Sequence, residues 1–387
     1  MSRTRIAAGM AIVLGALTML IAFTLPSDIG LAAGRKPKPP VITTVRKLAP
    51  GVKLTKIVDR RIPRRTFILA IDPSKGATLR FVLSNDLIPD LERTSSMARR
   101  SGALAAVNGD FGSTSTGRPT HPMAIDGELI QTSLDLSGSF AISADESMRI
   151  DQPEPTVSVT EIDTGEVFPI DSWNGFRPHV GDLNGYTAVG GTSFGPPTNA
   201  CWARLSPVTE PDPEPVGVLR DYDVSETSCT PQRPAAGDDV ILAAMPGSDE
   251  AAFIRSLSTG ETLRVGWSFG WPAIVDAMGG SPILVQGGEI VLGPCTTSIC
   301  NINPRTAVGI TPGGKVLLVV IDGRQKSSVG MTLGQLARYM LGLGSVQAMN
   351  LDGGGSTTLV VRGDVVNRPS DGHERRVAAA IAVISPP

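Results

Sequence analysis

Two periodicities organise the apolar residues of this chain. Residues 78–84 alternate and are β-branched or apolar, which predicts a strand. Residues 91–101 are compatible with a helix, and 103–107 form a short apolar run ending in Asn108-Gly109-Asp110-Phe111. Further on, 315–321 is almost uninterruptedly apolar, as expected of a strand covered on both faces. Asp322-Gly323 ends it. Thr332-Leu333-Gly334-Gln335 then reads as a capping box. Leu333, Leu336, Ala337, Met340 and Leu341 recur at the spacing of one helix face, and Gly342 and Gly344 supply a stop. Residues 346–351 return as a strand ending at Asp352, and 307–310 are strand-like.

Strand, helix, strand occurs twice, which predicts crossover units. The expected fold class is therefore α/β of the mixed α+β kind, with a β-rich mixed sheet and one main catalytic domain over residues 61–387. Parallel strands joined by a helix emerge at one edge of a sheet, where ligands of open sheets bind. Asp322 and Asp352 should then crowd one pocket if their strands are neighbours. Asn108 and Asp110 would join them if the first unit shares that sheet.

Composition narrows the picture. The 43 Gly and 31 Pro among 387 residues disfavour a helical bundle, and 41% hydrophobic residues exclude a disordered chain. A formal charge of −2 argues against a nucleic-acid binder working through a broad basic surface.

Residues 1–34 place Arg3 and Arg5 before an apolar run, with small residues Gly30, Ala32 and Ala33 after it. This is the order of a secretory signal, and the run is long enough to serve instead as a membrane anchor. Either way the chain is expected outside the cytoplasm, secreted or held to a membrane only by that segment. Residues 35–60 read as a Pro/Lys-rich tether and lead-in. Four cysteines, Cys201, Cys229, Cys295 and Cys300, suit two disulfides in an exported chain. Of the three possible pairings the local one, Cys201–Cys229 with Cys295–Cys300, is favoured. No Cys-x-x-Cys spacing marks a metal site, and neither a metal nor a cofactor is expected. The Pro-rich stretch at about 196–235 reads as a disulfide-pinned surface insertion, a loop or a lid.

The string most suggestive of chemistry is Leu351-Asp352-Gly353-Gly354-Gly355-Ser356-Thr357-Thr358. Three glycines after a strand let backbone N–H groups approach an anion, and no Lys follows to make a phosphate-binding Walker loop. Arg305, in Asn303-Pro304-Arg305-Thr306, can grip phosphate through two parallel bonds, and Arg375 follows His373-Glu374. Gly191-Thr192-Ser193-Phe194-Gly195 has the spacing of a nucleophile elbow, but Pro196-Pro197 follows where a helix should start.

Taken in order, these strings resemble the phosphodiester glycosidase family. The resemblance runs through about residues 100–385. It rests on Asn108-Gly109-Asp110-Phe111, Gly279-Gly280-Ser281-Pro282, Asn303-Pro304-Arg305-Thr306, Asp322-Gly323-Arg324, the Asp352 string, and Asn367-Arg368-Pro369-Ser370-Asp371-Gly372 with Glu374-Arg375. It implies a mixed α/β domain and hydrolysis of a sugar-1-phosphodiester at the anomeric C–O bond. A carbohydrate phosphodiester is then the expected partner.

For such a reaction Asp352 is the leading nucleophile or base, with Asp322 its partner and Asp110 third. Arg305, Arg375, Ser356, Thr357 and the backbone of Gly353, Gly354 and Gly355 would hold phosphate, and Asn108 the sugar hydroxyls. Three rivals stand beside this reading: a metal-dependent phosphodiesterase using the same Asp cluster, a non-catalytic wall-polysaccharide-binding module, and a transglycosylase.

Overall fold

The strand Val316–Ile321 is apolar throughout because each of its faces meets a different core. Val316, Leu318 and Val320 point into the largest core, while Leu317, Val319 and Ile321 pack with Leu333, Leu336, Ala337 and Met340 of the helix Leu333–Gly342. That helix opens with the expected capping box: Gln335 N donates to Thr332 Oγ1 at 3.1 Å, and Thr332 N to Gln335 Oε1 at 3.0 Å. The computed structural model describes residues 40–385, except 134, 176, 191–198, 209–218 and 231–234. The signal or anchor segment, the start of the tether and the Gly191–Gly195 string therefore lie outside the described residues.

Val316–Ile321 belongs to an eight-stranded sheet in the order Val41–Ala49, Val52–Asp59, Arg64–Ile71, Val316–Ile321, Arg305–Ile310, Gln347–Asn350, Ile283–Gln286 and Glu289–Ile290. A five-stranded sheet faces it across the main core, in the order Asp364–Val365, Leu359–Val361, Ala105–Asn108, Ala379–Ile384 and Thr78–Leu83. Its outer face is covered by the helix Thr94–Arg100, through Met97 against Val82, Ala380 and Ala382. The arrangement is two facing sheets, each backed by one helix.

Strands dominate, with 28 against three α-helices among the described residues, and the neighbours within both of these sheets are antiparallel. The α/β expectation is corrected accordingly: the fold is predominantly β. Thr78–Leu83 and Ala105–Asn108 are each antiparallel to Ala379–Ile384, which lies between them. Val316–Ile321 and Gln347–Asn350 likewise flank Arg305–Ile310. Each strand–helix–strand segment thus joins strands of one direction that are second neighbours, with a strand from elsewhere in the chain inserted between. Asp322 and Asp352 therefore follow the ends of second-neighbour strands, about 9–10 Å apart at the usual interstrand spacing, rather than of adjacent ones.

Two further boundaries change. Residues from Val41 to Asp59 form two paired strands of the large sheet, not a lead-in. In the expected insertion, Cys201–Pro207 and Arg220–Ser228 pair with each other inside a second eight-stranded sheet. Cys201, Trp202, Ala203, Leu205, Tyr222 and Val224 are buried there, so these strands are core rather than a surface excursion. Both expected disulfides, Cys201–Cys229 and Cys295–Cys300, are present.

Candidate functional site

The start of one antiparallel strand lies beside the ends of its neighbours, and this places Arg305. Arg305 pairs with Ile321 and Ala307 with Asn350, so Arg305 sits between the ends that lead into Asp322 and Asp352. A cleft of about 510 Å³ opens at this edge. Asp352, Gly353, Gly354 and Gly355 contribute to its wall together with Asn350, Asn303 and three arginines, Arg305, Arg324 and Arg375.

Asp352 is the acidic group of that wall. Burial pushes its carboxyl up to about 6, and the nearby Asp110 charge adds to the rise. Hydrogen bonds from Ser356 and from Gly353 N (2.8 Å), with the charge of Arg375, pull the other way. A carboxyl so poised is ionised near neutrality yet still basic enough to act on a substrate.

Arg305 is buried at 2% exposure and makes no ion pair among the described residues. Three carbonyls fix its plane instead: Nε donates to Met331 O at 2.9 Å, and Nη2 to Ile299 O and Asn301 O, each at 2.6 Å. Burial, and then the neighbouring Arg324, lower its pKa to about 10, so it remains charged at neutral pH. Among the described residues, Nη1 is the guanidinium nitrogen with no internal hydrogen bond. Arg324 is held by Asn303 Oδ1, through Nε at 3.1 Å and Nη2 at 2.9 Å. Arg375 is held by Asp371 Oδ2, through Nε at 3.1 Å and Nη2 at 2.7 Å.

The glycine run sets the cleft's shape more than it offers donors. Gly354 takes φ +61°, a left-handed conformation that a side chain disfavours. Its N–H bonds Pro304 O at 3.1 Å, and that of Gly353 is taken by Asp352. Only the Gly355 N–H of the three makes no internal bond among the described residues, which narrows the expected backbone cradle to one donor. A Cβ on Gly355 would collide with Arg375 Nη2 and Asp371 Oδ2. Gly355→Ala is therefore expected to fold but to displace Arg375. Losing one charge-assisted bond, about 1.5–3 kcal/mol, predicts a KM at least about tenfold higher, read by steady-state kinetics.

Several expected site residues have other work. Asn108 is fully buried and bonded through both amide atoms: Nδ2 donates to Asp352 O at 2.6 Å, and Oδ1 accepts from Thr306 Oγ1 at 2.7 Å and Thr358 N at 3.1 Å. It pins the Asp352 loop to both sheets and, wholly buried, lies off the cleft wall where a sugar hydroxyl would bind. Asn108→Ala strands three buried partners and is expected to cost about 2–4 kcal/mol in a denaturant titration.

Asp322 is buried away from the cleft wall. Its Oδ1 accepts from Arg368 N at 2.9 Å and Asn367 Nδ2 at 3.2 Å, and Oδ2 lies 3.7 Å from Arg65 Nη1. Burial raises its pKa, and those donors oppose the rise. It anchors the 367–368 segment and does not pair with Asp352. Ser356 touches the Asp352 carboxyl, whereas Thr357 is buried off the wall.

Asp110 comes to this region from the opposite sheet and is engaged by His121: Nδ1 lies 2.5 Å from Oδ1, and the backbone N donates to Oδ2 at 3.1 Å. Burial opposes charge on His121, but Asp110 more than offsets it and raises the pKa. Sequence reasoning missed His121, Arg324, Asn350 and Asp371. Arg324 and Asp371 lay inside strings already singled out, while nothing local distinguishes His121. Asn350 is buried and on the cleft wall; its Nδ2 bonds Ser281 O at 2.7 Å, and its Oδ1 is unpartnered.

A family profile described as phosphodiester glycosidase matches residues 223–384, a stretch that includes Arg305, Arg324, Asp352 and Arg375. Over these residues the chain is similar to the phosphodiester glycosidase family. Asn108, which bonds the Asp352 carbonyl, and Asp110, whose charge acts on the Asp352 carboxyl, precede the matched stretch in the chain.

Among curated relatives, N-acetylglucosamine-1-phosphodiester alpha-N-acetylglucosaminidase of Bos taurus is 31% identical over 133 residues, 29% of this chain and 25% of its own length. An SPbeta prophage-derived protein of Bacillus subtilis is 36% identical over 84 residues, 22% of this chain and 13% of its own. The chain thus spans a quarter or less of each. A solved Synechocystis protein shares the fold, with a TM-score of 0.72 at 21% identity, over 90% of this chain and 64% of that one.

Proposed function

We propose that this cleft hydrolyses sugar-1-phosphodiesters at the anomeric C–O bond, releasing free sugar and a phosphomonoester. One observation carries the reading: a half-buried carboxyl raised to about 6 stands in a wall shared with three arginines. The guanidinium of Arg305, with Arg324 and Arg375, meets the anionic diester. Asp352, ionised, serves the anomeric carbon as nucleophile or base while positive charge develops on the sugar ring. Asn350 contributes to the cleft wall beside Asp352. The departing phosphomonoester is a stable anion, so the absence of a strong acid beside Asp352 is no obstacle. Asp110, held by His121, acts on the Asp352 carboxyl through its charge.

Activity should depend on Asp352 being ionised. Its raised pKa predicts that kcat/KM falls as pH drops through about 6 and levels above it. A flat profile from pH 5 to 7 would remove Asp352 from the chemistry.

The reading includes export and action on wall or exopolysaccharide phosphodiesters. The two disulfides support an oxidising compartment, and among the described residues no helix is long and apolar enough to cross a membrane. The direct test is a screen of sugar-1-phosphodiesters in water labelled with heavy oxygen. The label should enter the sugar, with activity retained in EDTA. Label in the phosphate, with loss of activity in EDTA, would favour a metal-dependent phosphodiesterase, and binding without turnover a recognition module.

A further inference from the structure

Arg305 is oriented by a loop that has almost nothing of its own to hold it. From Val291 to Ile302 no residue is buried; only Leu292, Ile299 and Cys300 are even half-covered. Yet this loop supplies two of the three carbonyls that fix the guanidinium, Ile299 O and Asn301 O. It also steadies Asn303, whose amide reaches Ser298 O at 3.4 Å and Asn301 O at 3.3 Å while its Oδ1 holds Arg324.

The loop's internal backbone bonds are few: Cys300 N to Thr297 O at 3.0 Å, and Asn301 N to Ser298 O at 3.2 Å. Leu292 and Ile299 rest half-buried against the core beneath the helix Leu333–Gly342, and a covalent restraint is added to them. The Cys295–Cys300 disulfide closes the turn that contains Ile299 and ends one residue before Asn301.

We infer that the Cys295–Cys300 disulfide is a positioning element for anion binding, holding the Ile299 and Asn301 carbonyls where they lock Arg305 in the plane that presents Nη1 to a phosphate group. The physical reason is geometric. A guanidinium recognises an oxyanion through N–H vectors fixed in one plane, and that gain is lost when the plane rotates. A short exposed loop with only two half-buried apolar anchors, Leu292 and Ile299, regains conformational freedom once the cross-link opens. The other disulfide serves as the internal contrast. Cys201 is 1% exposed within the second eight-stranded sheet, far along the chain from these carbonyls, whereas Cys295 is exposed.

The inference deepens the proposed function but is tested without turnover, by titrating inorganic phosphate into the full chain by calorimetry. The Cys295→Ser/Cys300→Ser double variant should bind phosphate about tenfold more weakly than the parent, while Cys201→Ser/Cys229→Ser binds it unchanged. On any sugar-1-phosphodiester that is turned over, the first variant should show a KM raised by a similar factor and kcat within about twofold. A merely structural role would instead lower the folded fraction and kcat together.

Should the double variant fail to fold, brief treatment of the parent with dithiothreitol replaces it. The exposed Cys295–Cys300 bridge should open first, as mapped by alkylation and mass spectrometry, and phosphate affinity should fall and return on reoxidation. Equal phosphate affinity with the bridge open and closed overturns the inference, as does a parent chain that binds no phosphate. Phosphate binding lost on opening the bridge, in a chain that hydrolyses no sugar phosphodiester, would sustain this inference and refute the proposed function.

Discussion

Replacing Asp352 with Asn is expected to lower kcat by at least ~10³-fold and, at the same time, to make the protein more stable at pH 7. The loss of turnover follows from removing the carboxylate of the cleft wall. The gain in stability follows from the same pKa shift. In the folded state the carboxyl titrates at about 6, against 3.8 for the ordinary group, so ionising it costs more there than in the unfolded chain. Above about pH 6 that cost is fully present; below about pH 4 both states are protonated and it is gone. Asn carries no charge to strand and can still accept from Gly353 N. The variant should therefore gain about 1–3 kcal/mol over the parent at pH 7, shrinking toward zero as pH falls from 6 to 4. Urea titrations at the two ends of that window check it. A variant that is both inactive and less stable at pH 7 would mean that Asp352 holds the loop together rather than serving chemistry.

Arg305→Lys is expected to raise KM, and the inhibition constant of a phosphomonoester, by about 100-fold, with a smaller change in kcat. Charge is kept, so the effect isolates geometry. An ammonium is a compact point donor that cannot meet the carbonyls of Met331, Ile299 and Asn301 and also present a planar edge to a phosphate. The substitution should also cost about 1–3 kcal/mol of stability, since buried acceptors lose their donor. Competitive inhibition by a phosphomonoester gives the decisive number, and an unchanged inhibition constant would dismiss Arg305 as an anion ligand.

Much of the local structure was legible because it is encoded locally. The apolar run at 315–321, the helix face from Leu333 and the Thr332–Gln335 capping box need no partner elsewhere to be recognised. What could not be read is which strand lies beside which. Asp322 and Asp352 look alike in sequence, each an Asp-Gly pair after a strand. Their difference comes from the 367–368 segment, which closes over Asp322, and from Arg305–Ile310, which inserts between the two strands.

Asn108 was read as a sugar ligand because an Asn at a strand end is usually free. Here three bonds to distant segments hold its amide inside the core. His121 escaped notice because a lone His in a Thr/Pro loop carries no signal until folding places it against Asp110. The mistaken surface insertion shows the converse: Pro-rich composition over about 196–235 hid two strands, Cys201–Pro207 and Arg220–Ser228, whose cover comes from the rest of their sheet.

The triad of guanidinium groups in the cleft wall bears on the pace of the enzyme as well as on its grip. For a hydrolase of the kind proposed, a singly charged reactant becomes a nearly doubly charged product at neutral pH. A basin tuned to welcome the first will be slower to surrender the second. Egress of the spent headgroup, rather than rupture of the glycosidic link, is then expected to govern the cycle, and a rapid initial burst ahead of a slower steady phase is its kinetic signature.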